Sequence, residues 1–309
     1  MIDLFTFLLE RAPPDEIDSL DACYSTLESL DCDLDASIDR AAAGGFSMDR
    51  LGYAFVAGYR AALRAIDPSL SRASLCATEE GGAHPRAIRT TLASRDGAFA
   101  LDGTKTFATL ASFADVLLVV ASRGEGKDGR KSLQIARIPR TREGVTVADR
   151  APLAFAPEVP HARVTFANVR VAPDEILEGD GYERVLKPFR TIEDLHVAAS
   201  SVGYVVRLAR GEGGEGRRVV ERALAALAAL RELSRAPLGA PVHVALAGAL
   251  GEAVAIARDV RLERAPEIVR ARWQRDCPLL TVAQTVREMR LEAAWRAVSA
   301  ARSVKVPYT

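Results

Sequence analysis

The stretch LDGTKTFATLASFADVLLVVA, residues 101–121, places a turn signal before a long apolar run. An Asp-Gly pair between apolar residues is a strong hairpin signal, so residues 101–103 are predicted to form a tight turn. Phe107 and Thr109 stand two residues apart, and on a strand after that turn they would face the same side. An isolated aromatic and hydroxyl pair usually only packs across a sheet, so its purpose depends on the rest of the chain.

The composition is that of an ordinary folded protein. The 309 residues are 49% hydrophobic and 27% charged, with a formal net charge of +0 and a pI near 6.9. The chain has no basic stripe that would predict nucleic-acid binding. It also has no uninterrupted apolar run of about 18 residues that would predict a membrane span. The first residues lack the features of a signal peptide. Four scattered cysteines and four histidines show no metal-ligand spacing, so we expect a cytoplasmic protein with reduced thiols and no metal.

The pattern of apolar residues changes twice along the chain, which predicts an α+β multidomain protein. Residues 1–72 carry apolar residues at helical spacing, interrupted at Gly44-Gly45, and predict a short N-terminal helical region. Residues 73–176 alternate short apolar runs with Gly, Pro and Asp, which indicates an antiparallel, barrel-like β domain. Residues 177–309 return to helical periodicity and predict a C-terminal four-helix bundle.

Four local patterns together resemble the acyl-CoA dehydrogenase family. CATEEGGAHPRAIRT (76–90) is similar to the family's T-E-P-x-x-G-S-D loop, and residues 101–121 are similar to its N-G-x-K-x-W-I-T-N segment. GDGYERVLKPF…AASSVG (179–203) resembles the join into the C-terminal bundle. QRDCPLLTVAQT (274–285) resembles the R-D-A stretch that leads to the family's glutamate. The resemblance implies the fold of that family, in a divergent and shortened member, and FAD as the cofactor.

The resemblance implies that the β domain is a platform for the flavin ring. Phe107 stands where the family usually has a tryptophan, and its ring would pack against the isoalloxazine. Thr109 would direct its hydroxyl at the N5 edge, and Thr78 corresponds to a threonine that hydrogen-bonds the pyrimidine edge. Donors at these edges stabilise the charge of reduced flavin, which gives the pattern a physical rationale.

The phosphate-binding positions depart from the family pattern. Ala83-His84 replaces a Gly-Ser pair, and Pro85 has no N–H to offer a phosphate. His84 is the remaining donor candidate in this loop. RAPLG (235–239) resembles the R-x-x-F-G motif with which one subunit contacts its neighbour's flavin phosphates, so Arg235 inherits that role. The family's Q-x-x-G-G stretch has no counterpart near residues 258–262, which lowers the affinity for FAD that we expect.

The resemblance offers two positions for the catalytic base. Gln284 stands where most members carry a glutamate, and an amide cannot take up a proton at neutral pH. A minority of the family places its glutamate on the first bundle helix, just before A-A-x-x-x-G, and Glu193 lands there. Asp194 stands where the family usually has arginine. The alternative interpretation of Glu193 is a first-turn acid that the helix dipole stabilises.

Three functions follow from these residues. The first is an FAD-dependent oxidoreductase of fatty acid metabolism that dehydrogenates an acyl thioester on CoA or a carrier protein, with Glu193 as base. The second is a non-catalytic subunit that pairs with a complete relative in a hetero-oligomer. The third keeps the fold for thioester chemistry without redox. The Ala- and Arg-rich composition indicates a bacterial protein. The first function is expected in a homodimer or homotetramer, and none of the three involves nucleic acid or a membrane.

Overall fold

The polypeptide divides into two units, one helical and one built on a β-sheet. The computed structural model describes residues 3–14, 16–126 and 129–304. The sheet unit comprises Leu63–Leu153 and Pro157–Arg190, and the helical unit comprises the residues up to Ala62, Ala154–Ala156 and the residues from Thr191 onward. This mixture of helix and sheet confirms that part of the predicted fold class. The three-domain division at residues 72 and 176 stays a prediction.

Within the described residues, the sheet unit forms one seven-stranded sheet. Its strands are β1 (Ala73–Cys76), β2 (Thr91–Arg95), β3 (Ala98–Thr109), β4 (Val116–Glu125), β5 (Lys131–Pro139), β6 (Val145–Asp149) and β7 (His161–Val171). The order is β1-β4-β2-β3-β7-β6, with β5 paired to β4. Both β1 and β2 run parallel to β4. The sheet is therefore mixed, not antiparallel as predicted, because the long connections between these strands allow a parallel return.

The Asp-Gly pair at 102–103 lies inside β3, which corrects the predicted turn at residues 101–103. The turn between β2 and β3 is Asp96-Gly97, whose φ angles are +47° and +73°. Gly103 has a φ of +146°, and a Cβ at this position would lie 2.6 Å from Thr90 Oγ1. The register between β3 and β7 also shifts here. The dipeptide therefore continues β3 opposite a bulge in β7, whose extra residue falls between Phe166 and Val169, and Gly103 meets the close approach of Thr90.

A second bulge, between Lys105 and Ala108, determines which way Phe107 faces. Lys105 and Ala108 are three residues apart, yet both side chains are fully buried. Strict alternation along a strand would place them on opposite faces. Their partners on β7 are only two residues apart, so β3 carries one extra residue at this point. Phe107 and Thr109 flank the buried Ala108 and both are half-buried, which fits the predicted common face.

The amino group of Lys105 is buried in the sheet unit and held by two oxygens. Nζ donates to Glu79 Oε1 and to the Val120 carbonyl, each at 2.6 Å. Glu79 also accepts bonds from the Arg89 N–H and from the N–H and hydroxyl of Thr90. Burial alone would raise the pKa of Glu79. The ion pair and these donors outweigh burial, so the pKa is lowered and the carboxyl stays ionised.

The helices belong largely to the helical unit. They are α1 (Leu4–Glu10), α2 (Leu20–Leu30), α3 (Ser37–Ser47), α4 (Leu51–Ile66), α5 (Lys187–Ala209), α6 (Gly214–Arg235), α7 (Ala240–Asp259), α8 (Glu267–Asp276) and α9 (Gln284–Val304). Helices α5, α6, α7 and α9 correspond to the four bundle helices predicted within residues 177–309. The periodicity missed α8, because its ten residues bury only Trp273 and Asp276 and show no apolar stripe.

Helices α3 and α5 approach each other closely at two glycines. A Cβ at Gly45 would lie 1.8 Å from the Ser200 carbonyl oxygen, and a Cβ at Gly203 would lie 2.0 Å from the Ala42 carbonyl oxygen. Gly44-Gly45 therefore lies within α3 and does not interrupt it, which corrects the sequence-based expectation. Close packing of the two backbones offsets the cost of about 1 kcal/mol that a glycine adds to a helix interior.

Helix α7 is long and apolar enough to cross a membrane, the one such helix among the described residues. The sequence predicted no such segment because His243 and Glu252 interrupt the apolar run. About 28% of the apolar window is buried, and α7 packs against α6 and α9 in the helical unit. A core helix meets the same criteria of length and composition, so the absence of a membrane stays a prediction.

Replacing Lys105 tests how strongly the buried ion pair supports the sheet unit. Lys105→Met leaves the Glu79 carboxylate buried without its cation, and we expect the free energy of unfolding to fall by about 3–5 kcal/mol in a urea titration. Lys187→Met is the matched control, because its pair with Glu183 is exposed, and we expect a loss below about 1 kcal/mol. Equal losses in the two variants would contradict the structural role assigned to Lys105.

Candidate functional site

The end of β3 brings together the three residues of the sheet unit that the resemblance assigns to flavin contact. Phe107 forms an isolated antiparallel bridge with Thr78, and the Thr106 N–H donates to the Thr78 carbonyl at 2.9 Å. Thr78, Phe107 and Thr109 are all half-buried. Neither the Thr78 nor the Thr109 hydroxyl bonds to another described residue. The face therefore presents an aromatic ring with two hydroxyls whose bonding capacity is open to a ligand.

Two further side chains contact Phe107, and no sequence pattern pointed to either of them. The His161 imidazole lies 4.3 Å from the Phe107 ring, centroid to centroid, with the planes inclined by 36°. The Arg150 guanidinium carbon lies 5.6 Å from the same centroid, and its Nη1 donates to the Thr106 carbonyl at 3.0 Å. His161 is the β7 residue opposite Thr109, a pairing that depends on the bulge in β3.

The His161 imidazole is held in its neutral form. Burial lowers the pKa of His161 and is the largest effect. A backbone hydrogen bond to Val159 acts in the opposite direction, and the positive charge of Arg150 lowers the pKa further. Since the ordinary value is already below 7, the ring beside Phe107 carries no charge at neutral pH.

The loop between Glu79 and Thr90 is anchored at several points, and His84 lies exposed at its outer turn. Gly81 and Gly82 have φ angles of +95° and +98°, which favour glycine. His84 Nδ1 accepts the Arg86 N–H at 3.2 Å, so only Nε2 can donate to a phosphate. The Arg190 guanidinium holds the loop by donating to the Ala83 carbonyl at 2.9 Å.

Arg235 lies at the exposed end of α6. Its side chain is 62% exposed, and its nearest charged neighbour is Glu232, one turn earlier, at 3.9 Å. The helical unit therefore leaves this guanidinium available to another molecule. Its assignment to a neighbouring subunit's phosphates stays a prediction.

Glu193 lies in the interior of α5, on its second turn. The helix begins at Lys187, and a π-helical turn over Tyr182–Leu186 precedes it. No acidic residue occupies the first turn of α5. The dipole of a helix acts on charges in its first and last turns, so it does not account for Glu193. The side chain is half-buried.

Asp194 is the centre of a buried charge cluster that the sequence did not predict. Its carboxylate accepts from Arg287 Nε at 2.8 Å and contacts Arg290 Nη2 at 2.8 Å. Three residues before Asp194 on α5, Thr191 Oγ1 lies 3.2 Å from Nε2 of His243, which belongs to α7. Burial and the charge of Arg290 lower the pKa of His243, so the imidazole is neutral beside two arginines and one carboxylate. The cluster therefore carries a net positive charge, with the carboxylate on α5 and the arginines on α9.

Gln284, which the resemblance places at the family's usual base position, is the exposed first residue of α9. Its Nε2 donates to Glu288 Oε1 at 2.8 Å. Both residues line a groove of about 380 Å³ between α7 and α9, together with Leu250, Val254 and Arg287. The structure thus places a carboxylate one turn from the expected base position, on a solvent-exposed side chain. Because Gln284 is an amide, it serves there as a hydrogen-bonding group and not as a base.

Comparison with known proteins identifies the class of fold. Residues 74–169 match the family model "Acyl-CoA dehydrogenase, middle domain". No curated protein sequence matches the chain. Among solved structures, apo-form PigA is 14% identical, with 96% of both chains covered and a TM-score of 0.71. Butyryl-CoA dehydrogenase from Megasphaera elsdenii is 14% identical, with 94% of this chain and 96% of that chain covered and a TM-score of 0.67.

A third similar structure is the prolyl acyl carrier protein oxidase AnaB. It is 16% identical, with 94% of this chain and 96% of that chain covered and a TM-score of 0.67. At such identities the likeness shows the fold. The resemblance to the acyl-CoA dehydrogenase family is therefore confirmed, by its middle domain at residues 74–169 and by the fold that the chain shares with its members. The matched segment contains Thr78, His84, Phe107, Thr109 and His161.

His196, one turn after Glu193 on α5, makes the helical unit sensitive to acid. Its Nδ1 lies 2.7 Å from the Ile192 carbonyl, and its Nε2 lies 2.9 Å from the Ser37 hydroxyl. The neutral ring fits both contacts by donating through Nδ1 and accepting at Nε2. Burial lowers the pKa of His196 to about 4. The unfolded chain therefore binds this proton at higher pH than the folded chain does.

As the pH falls from about 6.5 to about 4, we expect this histidine to remove up to about 3 kcal/mol from the free energy of unfolding. Urea titrations at pH 7 and pH 4.5 measure the loss. His196→Gln removes the titrating group, so its loss over the same interval should be smaller. Identical pH dependence in the two proteins would show that His196 does not stay neutral in the folded state.

Proposed function

We propose that the chain is an FAD-dependent oxidoreductase that dehydrogenates an acyl thioester carried by CoA or by a carrier protein. The observation that carries the proposal is the half-buried Phe107 ring, flanked by the unbonded hydroxyls of Thr78 and Thr109, within the segment that matches the family's middle domain. A planar ring with acceptors along its edges is the ligand that this arrangement suits. Of the similar structures, PigA forms a complex with FAD, and AnaB is an oxidase of an acyl carrier protein substrate.

The residues present fit the ring portion of the flavin better than its phosphates. Thr78, Phe107 and Thr109 would hold the isoalloxazine. His84 Nε2 and Arg235 would contact the phosphates, and Pro85 offers no N–H there. The flavin, when bound, supplies a hydride acceptor: the substrate β-carbon loses hydrogen with both electrons, its α-carbon loses a proton, and a carbon–carbon double bond forms. The chain's own part is to hold the ring and to take the α-proton.

Glu193 is the residue that we propose as the proton acceptor. It is a half-buried carboxylate on α5. Because Glu193 lies beyond the first turn of that helix, the helix dipole does not explain a carboxylate at this position. Gln284 cannot accept the proton, and Glu288 is exposed. The positive cluster around Asp194 fixes the adjacent turn of α5, because Arg287 and Arg290 tie it to α9.

We further propose a cytoplasmic homodimer or homotetramer, supported by the neutral composition and by the 62% exposed side chain of Arg235, whose ion pair with Glu232 spans 3.9 Å. The partner-subunit function remains the competing proposal, and the amide at Gln284 together with the missing phosphate-loop donors supports it. The two proposals differ in whether the protein binds FAD by itself.

An FAD titration of the purified protein tests the flavin platform. We expect absorption bands near ~450 nm after addition of excess FAD. Phe107→Ala should weaken FAD binding by about tenfold through the loss of ring stacking, which is worth roughly 1.4 kcal/mol. Phe99→Ala is the matched control, since Phe99 is a half-buried ring on the same strand with an arginine, Arg123, over it.

Phe99→Ala should bind FAD as the unchanged protein does. A protein that stays colourless with excess FAD would overturn the proposed oxidoreductase and favour the partner-subunit function. Equal losses in the two phenylalanine variants would instead point to a general weakening of β3, and would remove Phe107 from the proposed site.

Glu193→Gln tests the base. We expect turnover of acyl-CoA or acyl carrier protein thioesters, followed with an artificial electron acceptor, to fall by roughly 10²–10⁴-fold while the flavin spectrum is kept. Glu288→Gln is the control, because it removes the carboxylate nearest the usual base position. Full activity in Glu193→Gln, or a comparable loss in Glu288→Gln alone, would assign the base elsewhere.

A further inference from the structure

The aromatic surface at the end of β3 extends onto a second strand. His161, the first residue of β7, pairs across the sheet with Thr109. Its imidazole lies against the Phe107 ring, with 4.3 Å between centroids and 36° between planes. That separation is van der Waals contact between two flat rings. At this separation and tilt the imidazole lies over a face of the Phe107 ring, on the strand partner of Thr109.

We propose that His161 is a positioning residue for the flavin: its ring, packed over Phe107, fixes the orientation in which Phe107 meets the isoalloxazine. The proposal rests on the proposed function and goes beyond it, since His161 is an additional residue of the site. A phenyl ring that a packed neighbour already holds loses less rotational freedom when a ligand binds it than an unrestrained phenyl ring does.

The electrostatic setting of His161 suits stacking. Its ring is neutral at pH 7 although Arg150 lies on the same Phe107 ring, so the imidazole packs against Phe107 without burying a charge. Arg150 itself is anchored through the Thr106 carbonyl and leaves a positive charge beside the surface. A fixed positive charge near the flavin favours the electron-rich reduced ring.

Ring-retaining and ring-removing variants of His161 separate positioning from simple packing. In FAD titrations, we expect His161→Ala to lose about tenfold in affinity and to shift the flavin band near ~450 nm, because stacking on Phe107 is disturbed. His161→Phe keeps a ring against Phe107 and should restore the affinity. Urea unfolding of each protein without FAD checks that the fold is kept, and Phe99→Ala serves again as the control.

Each outcome of this experiment decides the proposal. Loss in His161→Ala with rescue by His161→Phe supports it. Unchanged affinity and an unchanged flavin band in His161→Ala overturn the role of His161 and leave the proposed function standing. Equal loss in both variants overturns the stacking role, because a ring would then be insufficient. If the unchanged protein takes up no FAD, the proposed function fails and the role of His161 fails with it.

Discussion

The buried ion pair between Lys105 and Glu79 is the constraint on which the sheet unit depends. A lysine amino group with no exposed surface requires fixed acceptors, and the structure gives it a carboxylate and the Val120 carbonyl. Glu79 in turn holds the backbone at Arg89 and Thr90. One cation therefore connects β3, β4 and the loop before β2. Since Lys105 must face inward, the bulge that follows it is what allows Phe107 and Thr109 to face outward around the buried Ala108.

In the helical unit, buried charges join two helices, α5 and α9. The carboxylate of Asp194 is on α5 and its two arginines are on α9, whereas the resemblance would place an arginine at residue 194. The attraction between α5 and α9 depends on the opposite signs of these charges and not on which helix carries the carboxylate. Gln284, where the resemblance places the usual base, is an amide that donates to Glu288. Glu193, the proposed proton acceptor, therefore lies next to a helix contact whose charges differ from those that the resemblance implies.

Much of the fold was predictable from the sequence, and so was part of the site. Helical periodicity found α5, α6 and α7 because each buries an apolar stripe, and it found α9 although only Ala294 of its described side chains is buried. The motifs that joined Thr78 to Phe107 found two residues that the structure pairs directly. The errors have a common physical origin. Asp-Gly at 102–103 and Gly44-Gly45 are local signals, and both were overridden by close contacts with distant residues, Thr90 and Ser200. His161 escaped notice because its place opposite Thr109 depends on a bulge, and register is a long-range property.

Phenylalanine at residue 107 has an optical consequence. The chain has two tryptophans, Trp273 and Trp295, and both belong to the helical unit. Trp273 is largely buried against Tyr204, and Trp295 is 46% exposed. Intrinsic tryptophan emission therefore reports on the helices alone, and the sheet unit is silent at those wavelengths. An indole introduced at residue 107 would be the first fluorophore of its kind in that unit, and its emission would follow events at the end of β3 separately from events among the helices.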